Sequence, residues 1–401
     1  MSENVVVQSS EPRAVTAVLA LVLALACGFI AANLYYAQPL TGLIGSALGL
    51  GPAQIGLLVT MTQIGYGLGL ILFVPLGDLV ENRSLAVGGV VVAMAALVVM
   101  ALAQTVSVFL TATLIAGIAC STVQILLPFA AHFTTDADRG RVIGSLTSGL
   151  MLGIMLARPA ASIVTYWAGW RAVFWLSAVV MGFVASALWL GMPRRQPTST
   201  LSYFGILRSM PSLLREVPIL RRRAGYHAAL YASFSMFWTA VALLLASAQF
   251  GLSQQGIALF ALAGTGGVII APLAGTIADR GWTRPATGLA ISAVLAAFVI
   301  ALIGGELRSI ALLVLAAVLI DAGLVINFVL SQRAIYGPKP ASRSRIGGLF
   351  TAMFFTGGAL GSALAAATLV AGGWELTCAT GVVFAGAALA LYAGEFVRSR
   401  S

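Results

Sequence analysis

The chain has 401 residues, of which 60% are hydrophobic and 8% charged, and its mean hydropathy is +1.01. A soluble domain carries about 25% charged residues, so these figures exclude a soluble enzyme, a disordered chain and a disulfide scaffold. Lys and Arg outnumber Asp and Glu by 22 to 12, with Lys339 the only lysine.

A helix needs about 20 apolar residues to cross the ~30 Å hydrocarbon core. Twelve such runs follow one another at 14–40, 53–77, 85–104, 107–132, 142–167, 170–191, 224–249, 254–278, 286–304, 309–334, 345–371 and 374–394. Backbone polar groups in lipid must be bonded internally, so runs of this length predict helices. The alternation of a lipid-facing barrel is absent. Within the first run, Arg13 is followed by an apolar stretch to Ala24-Leu25-Ala26-Cys27, the outline of a cleaved leader. Glu3 and Glu11 precede it and more membrane follows, so it is read as a span. Between the sixth and seventh runs lies the longest polar stretch, 192–223, with four prolines and seven arginines against Glu216. It predicts a linker, either solvated or resting partly on the anionic inner leaflet through Phe204, Ile206, Leu213 and Leu214. Cys27, Cys120 and Cys378 are scattered in apolar spans without metal-ligand spacing.

With twelve spans and a cytoplasmic start, 19 of the basic residues fall on the cytoplasmic side and two, Arg171 and Arg308, on the other. That asymmetry is the positive-inside pattern and predicts both termini in the cytoplasm. The positive charge then reports topology, and no nucleic-acid partner is expected.

The two halves of the chain resemble each other. Asp78 and Arg83 match Asp279 and Arg284 at an offset of 201, and Gln124 matches Asn327 at 203. Arg139, Arg141, Gly144, Gly153, Gly169 and Trp170 match Arg343, Arg345, Gly348, Gly357, Gly373 and Trp374, all at 204. Parallel repeats of six helices predict a site at the interface of the halves near the membrane midplane. The expected fold is an all-α membrane protein: twelve transmembrane helices in two six-helix pseudo-symmetric bundles, residues 1–191 and 224–401, joined by the linker 192–223.

The loop Gly275-Thr-Ile-Ala-Asp279-Arg280-Gly281-Trp-Thr-Arg284 resembles the Gly-x-x-x-Asp-Arg-x-Gly-Arg signature of the major facilitator superfamily. Its first copy, Pro75-Leu-Gly77-Asp78-Leu-Val-Glu81-Asn82-Arg83, keeps the Asp and the final Arg but lacks the leading Gly and central Arg-x-Gly. Asn33-Leu-Tyr35-Tyr36-Ala-Gln38-Pro39, Gly153-Ile-Met-Leu-Ala-Arg158 and Gly357-Gly358-Ala-Leu-Gly361-Ser362 are similar to the bacterial sugar-and-nucleoside-efflux-like branch. The resemblance implies an alternating-access transporter of the bacterial inner membrane. It also implies a cytoplasmic gate at Asp78, Arg83, Asp279, Arg280 and Arg284, whose alternative role is to cap helices and anchor topology. Span 4 lacks the Arg-x-x-Gln-Gly setting, and span 5 the Gly-Pro-x-x-Gly-Gly pattern, of many proton-coupled exporters of that superfamily.

Arg158 and Asp321 are the only charges that fall deep within spans. A charge at a helix centre costs roughly 2.5–3.5 kcal/mol on insertion scales, so each marks a functional site by default. At 1.5 Å per residue both lie roughly 14–18 Å from the outer end of their helices, which predicts that they interact, directly or through water. Asp321 is the candidate proton carrier; a static packing pair is the alternative. The resemblance places helices 1, 4, 7 and 10 around the cavity. Their polar and aromatic members, Asn33, Tyr36, Gln38, Gln124, Tyr231, Phe234, Trp238 and Asn327, become substrate-binding candidates, and each could instead form an interhelical bond. Gln63 and Tyr66 are lesser candidates, and Gly149, Gly153, Gly357, Gly358 and Gly361 predict close packing across the halves. His132 and His227 are expected at solvated helix ends.

The expected function is secondary active transport, proton-coupled export of a small organic solute (sugar, nucleoside or drug-like), by a monomer in the lipid bilayer. An uptake symporter or uniporter is the alternative, and a non-transporting sensor a more distant one. No cofactor, metal or enzymatic activity is expected, because no nucleophile, base or metal ligands cluster at depth.

Overall fold

Apolar runs bounded by capping residues fold as helices throughout the computed structural model, which describes residues 16–197, 202–264, 266, 282–336 and 343–398. In chain order these are α1 (Ala17–Ala32), α2 (Thr41–Leu48), α3 (Leu57–Leu72), α4 (Asn82–Leu102), α5 (Val106–Cys120), α6 (Val123–His132), α7 (Asp136–Ala168) and α8 (Trp170–Gly191). Then come α9 (Tyr203–Glu216), α10 (Pro218–Ala246), α11 (Gln254–Gly264), α12 (Thr283–Glu306), α13 (Ile310–Tyr336) and α14 (Arg343–Arg398). There is no strand among the described residues. Nine of the helical segments among them are long and apolar enough to cross a membrane. Leu21, Phe183, Leu190, Leu289 and Val383 project outward with more than half of their surface exposed, the inside-out pattern that lipid permits and water does not.

Two predicted runs are interrupted and two others are joined. The run 14–40 is helical only to Ala32, turns through Asn33–Ala37 and makes a 3-10 turn at Gln38–Leu40. Pro39 has no N–H to continue an α-helical ladder. The run 107–132 divides at Ser121 and Thr122, whose hydroxyls bond back to the carbonyls of Ile118 and Ala119. α14 joins two predicted spans through Gly372 and Gly373, the latter at φ 64°.

Gly169 stands at φ 79°, 204 residues before Gly373, and a tryptophan follows each. A left-handed turn that only glycine adopts without strain thus recurs at the same place in both halves. The helix pairs recur as well: α7 packs on α1, and α14 on α10. A Cβ on Gly149 or Gly153 would run into the carbonyls of Ala24 or Gly28, and one on Gly357 or Gly361 into those of Ala228 or Ala232. This corrects the expectation for the glycines. Gly149, Gly153, Gly357 and Gly361 bring helices of the same half together, and only Gly358 faces the other half, against Gln63.

Within the stretch 192–223, the described residues 202–223 are more ordered than a linker requires. α9 is amphipathic, and Ile206, Met210 and Leu213 are buried against the protein, leaving that face unavailable to lipid. Its Tyr203 hydroxyl donates to the Leu72 carbonyl at 2.8 Å, and its Ser209 hydroxyl accepts from Arg345 at 2.8 Å. α10 begins at Pro218, six residues before the predicted span.

Gly153→Ala should lower the thermal midpoint of the detergent-solubilised protein by several degrees, since the added methyl meets backbone. Gly144→Ala, open on all sides, should hold or raise it through helix propensity.

Candidate functional site

The break after α1 lets the chain turn Tyr35 and Gln38 toward α7, which carries Arg158 next to Pro159. On α10, Tyr231, Phe234 and Trp238 recur at i, i+3 and i+7, one face of a helix. α13 brings Asp321 to the same place. Arg158 is 2% exposed and Asp321 4%.

Trp238 connects the two charges. Its indole N–H donates to Asp321 Oδ1 at 2.8 Å, and its ring centroid lies 4.3 Å from the Arg158 guanidinium. Tyr35 and Phe234 cover the guanidinium with rings at 5.0 and 5.1 Å. Arg158 Nε donates to Gln38 Oε1 at 2.7 Å, while Nη2 is buried without a partner. The predicted interaction of Arg158 with Asp321 is therefore indirect, through one aromatic ring rather than a direct ion pair. A desolvated cation–π contact is worth about 2 kcal/mol, so three rings offset much of the burial of one arginine. Above Arg158, Gln38 Nε2 reaches Thr239 Oγ1 at 3.5 Å; beside it the Tyr35 and Tyr231 hydroxyls pair at 3.0 Å.

The other candidates are placed apart. Asn33 turns to α8: its Oδ1 accepts from Ser177 at 2.6 Å and its amide donates to the carbonyls of Phe29 and Ile30. Tyr36 is half-buried on that side. Gln124 donates to the Tyr66 hydroxyl at 3.2 Å. Asn327 bonds His227 Nδ1 at 2.9 Å, and its own Nδ2 is buried without a partner. His227 is 1% exposed and stacked on Phe350, which corrects its expected place at a solvated helix end; α10 starts earlier than the hydropathy indicates, so His227 lies about two and a half turns inside it. Gln63 donates to Ser235 at 2.6 Å across the halves, and its Oε1 is buried without a partner. Tyr35 and His227 were readable as site residues from spacing alone. Tyr35 lies one turn before Gln38, and His227 one turn before Tyr231 on the aromatic face.

At the arginine-rich end, Asp78 lies near the guanidinium groups of Arg195 and Arg345. Arg83 donates to the Met192 carbonyl at 3.5 Å and lies over the Trp189 ring at 4.3 Å. Glu81 caps α4 through the N–H groups of Arg83 and Ser84. Partial burial alone would raise its carboxyl, but bonds from the Ser84 hydroxyl and the Ser84, Arg83 and Arg195 N–H groups hold it below the usual range. That cap is therefore charged at neutral pH and is lost only as pH falls through the lowered value. Arg284 is exposed at the start of α12, and Asp279 and Arg280 lie outside the described residues. Among the described residues no three His, Cys, Asp or Glu side chains converge as metal ligands.

Residues 21–336 match the family model of the Major Facilitator Superfamily. The chain belongs to the Major Facilitator Superfamily. It is 35% identical to the uncharacterized transporter YgaY of Escherichia coli O157:H7 over 92% of this chain and 93% of that protein. It is 27% identical to a chloramphenicol resistance protein of Streptomyces lividans, over 81% and 82% of the two chains. Its fold is similar to the crystal structure of the nucleoside transporter NupG, with a TM-score of 0.75 at 14% identity, covering 94% of this chain and 99% of that one. The protein is thus a multi-pass membrane transporter and not an enzyme.

Trp238→Phe keeps a ring over Arg158 but removes the donor to Asp321, and Trp238→Leu removes both. Thermal unfolding in detergent should rank wild type above Phe above Leu. The first step should cost about 1–3 kcal/mol, the penalty of a buried acceptor left unpaired.

Proposed function

We propose that this transporter is a proton-coupled exporter of small organic solutes, working by alternating access of two six-helix halves, residues 1–191 and 224–401, joined by the segment 192–223. In this reading twelve spans place the arginine-rich end and both termini in the cytoplasm of a bacterial cell, and the protein acts as a monomer in the inner membrane. The observation that carries it is the buried set Arg158, Trp238 and Asp321, in which an acid and a base share one ring without neutralising each other directly. Protonation of Asp321 removes a negative charge from beside Arg158 and changes the acceptor that Trp238 holds. Proton binding on one side thereby alters the packing of α10 against α7, which belong to opposite halves. Export as the direction is supported by the chloramphenicol resistance proteins among the relatives.

Gln38, Tyr231, Phe234 and Trp238 are the substrate contacts that this reading favours, because they surround Arg158. Asn33 and Tyr36 serve α8, and Gln124 holds Tyr66. Asp78 gates the cytoplasmic side through its place beside Arg345 of the other half, with Arg83, Asp279, Arg280 and Arg284 fixing the two loops.

Inside-out vesicles with an imposed pH gradient test the coupling, with radiolabelled chloramphenicol as the first probe. Asp321→Asn should abolish gradient-driven uptake into them while leaving the protein folded and inserted. Undiminished gradient-driven flux in that variant sinks the carrier role, and movement in the opposite direction turns the reading to symport. Asp78→Asn should slow the same flux about tenfold without changing binding affinity; an altered affinity at unchanged maximal rate would remove the gate.

A further inference from the structure

Three buried polar atoms in this protein lack a partner while standing along one aromatic stripe. α10 carries His227, Tyr231, Phe234 and Trp238 at spacings of four, three and four, a single face. At its Trp238 and Phe234 level stands Arg158, with Nη2 unpaired; at its Tyr231 and Ser235 level stands Gln63, with Oε1 unpaired; at its His227 level stands Asn327, with Nδ2 unpaired. A buried polar atom without a partner costs about 1–3 kcal/mol, and native proteins keep few of them. The three run donor, acceptor, donor over roughly 10–16 Å of helix.

The walls between them are rings. Tyr231 stacks on Phe234 at 5.3 Å and 18°, and Phe354 and Phe355 approach Tyr231 at 4.9 and 5.1 Å. Arg158 and Gln63 come from the first half of the chain, and the stripe from the second. When the halves part, Arg158 loses the faces of Trp238 and Phe234, and Gln63 loses Ser235. A flat ring entering there restores the stacking over Arg158, which a saturated sugar cannot do. Gly358 also fits this purpose: a Cβ there would collide with Gln63 Oε1 and the Tyr231 ring, so glycine keeps that acceptor clear.

We infer that the transported solute is ring-bearing, aromatic or heteroaromatic, with hydrogen-bond acceptors toward both ends and a donor between them, and that Gln63 is its specificity contact. This rests on the transport reading and narrows it, setting aside plain sugars.

The test uses the full-length purified protein in detergent without any gradient, so it is independent of proton coupling. Thermal stabilisation and affinity are measured with para-nitrophenyl glucoside and inosine as ring-bearing probes, against glucose and ribose. The ring-bearing probes should stabilise the protein and the free sugars should not. Gln63→Met should weaken ring-probe binding about fivefold to tenfold, the loss of one buried hydrogen bond. Gly358→Ala keeps the Gln63 amide but displaces it and should give a similar loss, so the inference stands or falls even if one variant is unstable. Glucose or ribose stabilising as well as the ring-bearing probes overturns it, as does no stabilisation by either ring probe. Wild-type affinity in the variants that fold also overturns it. Failure of Asp321→Asn to abolish flux would leave this binding result untouched and remove only the coupling.

Discussion

Arg158 sets the terms for the middle of this molecule. An arginine cannot shed its charge, so it must be solvated by whatever surrounds it. Here that solvation comes from one amide oxygen and the faces of three aromatic rings rather than from a carboxylate. Everything nearby follows from that demand. α1 must end early to deliver Gln38, α10 must present rings at every turn, and Trp238 must lie flat enough for its edge to reach Asp321. A direct ion pair would have been held by Coulomb attraction in a medium of low dielectric and would resist separation. An aromatic intermediary holds the two charges near each other with weaker, direction-tolerant contacts.

The sequence was informative wherever one physical rule acted alone. The helical character of the apolar runs and the two deep charges follow from lipid thickness and desolvation and were legible; the Gly-Trp pairs were legible as a repeat, but not as turns. The proximity of Arg158 and Asp321 was legible as matching depth. Their intermediary was not, because depth carries no azimuth, and Trp238 had been readable only as one more aromatic. Asn33 and Gln38 illustrate the same gap. Both are amides near the end of the first apolar run, yet the turn between them sends one to Ser177 and the other to Arg158. The burial of His227 escaped because hydropathy discounts the arginines of α10's first turns, although they are helical. The apolar residues of α9 were legible, but whether they meet lipid or protein was not, because hydropathy does not distinguish the two partners.

The arginine-rich end depends on a different kind of contact. There Asp78, Asn82, Arg195 and Arg345 meet in polar surroundings, where individual ion pairs contribute little. Many small bonds are spread over α9, the loop before α4 and the first turn of α14. Such an arrangement holds a position collectively, whereas the buried cluster depends on a few contacts, each of which is costly to leave unmade.

The glycine contacts between α1 and α7, and between α10 and α14, have a mechanical consequence. Where backbone rests on backbone, no rotamer can yield, and each pair moves as one stiff beam. Other contacts are made by side chains, such as the Thr60–Ser362 hydroxyl pair between α3 and α14 and the Gln63–Ser235 bond between α3 and α10, and side chains can slip past one another. The molecule therefore has its compliance built into particular seams, and a large relative motion of its parts must run along those seams and not through the beams.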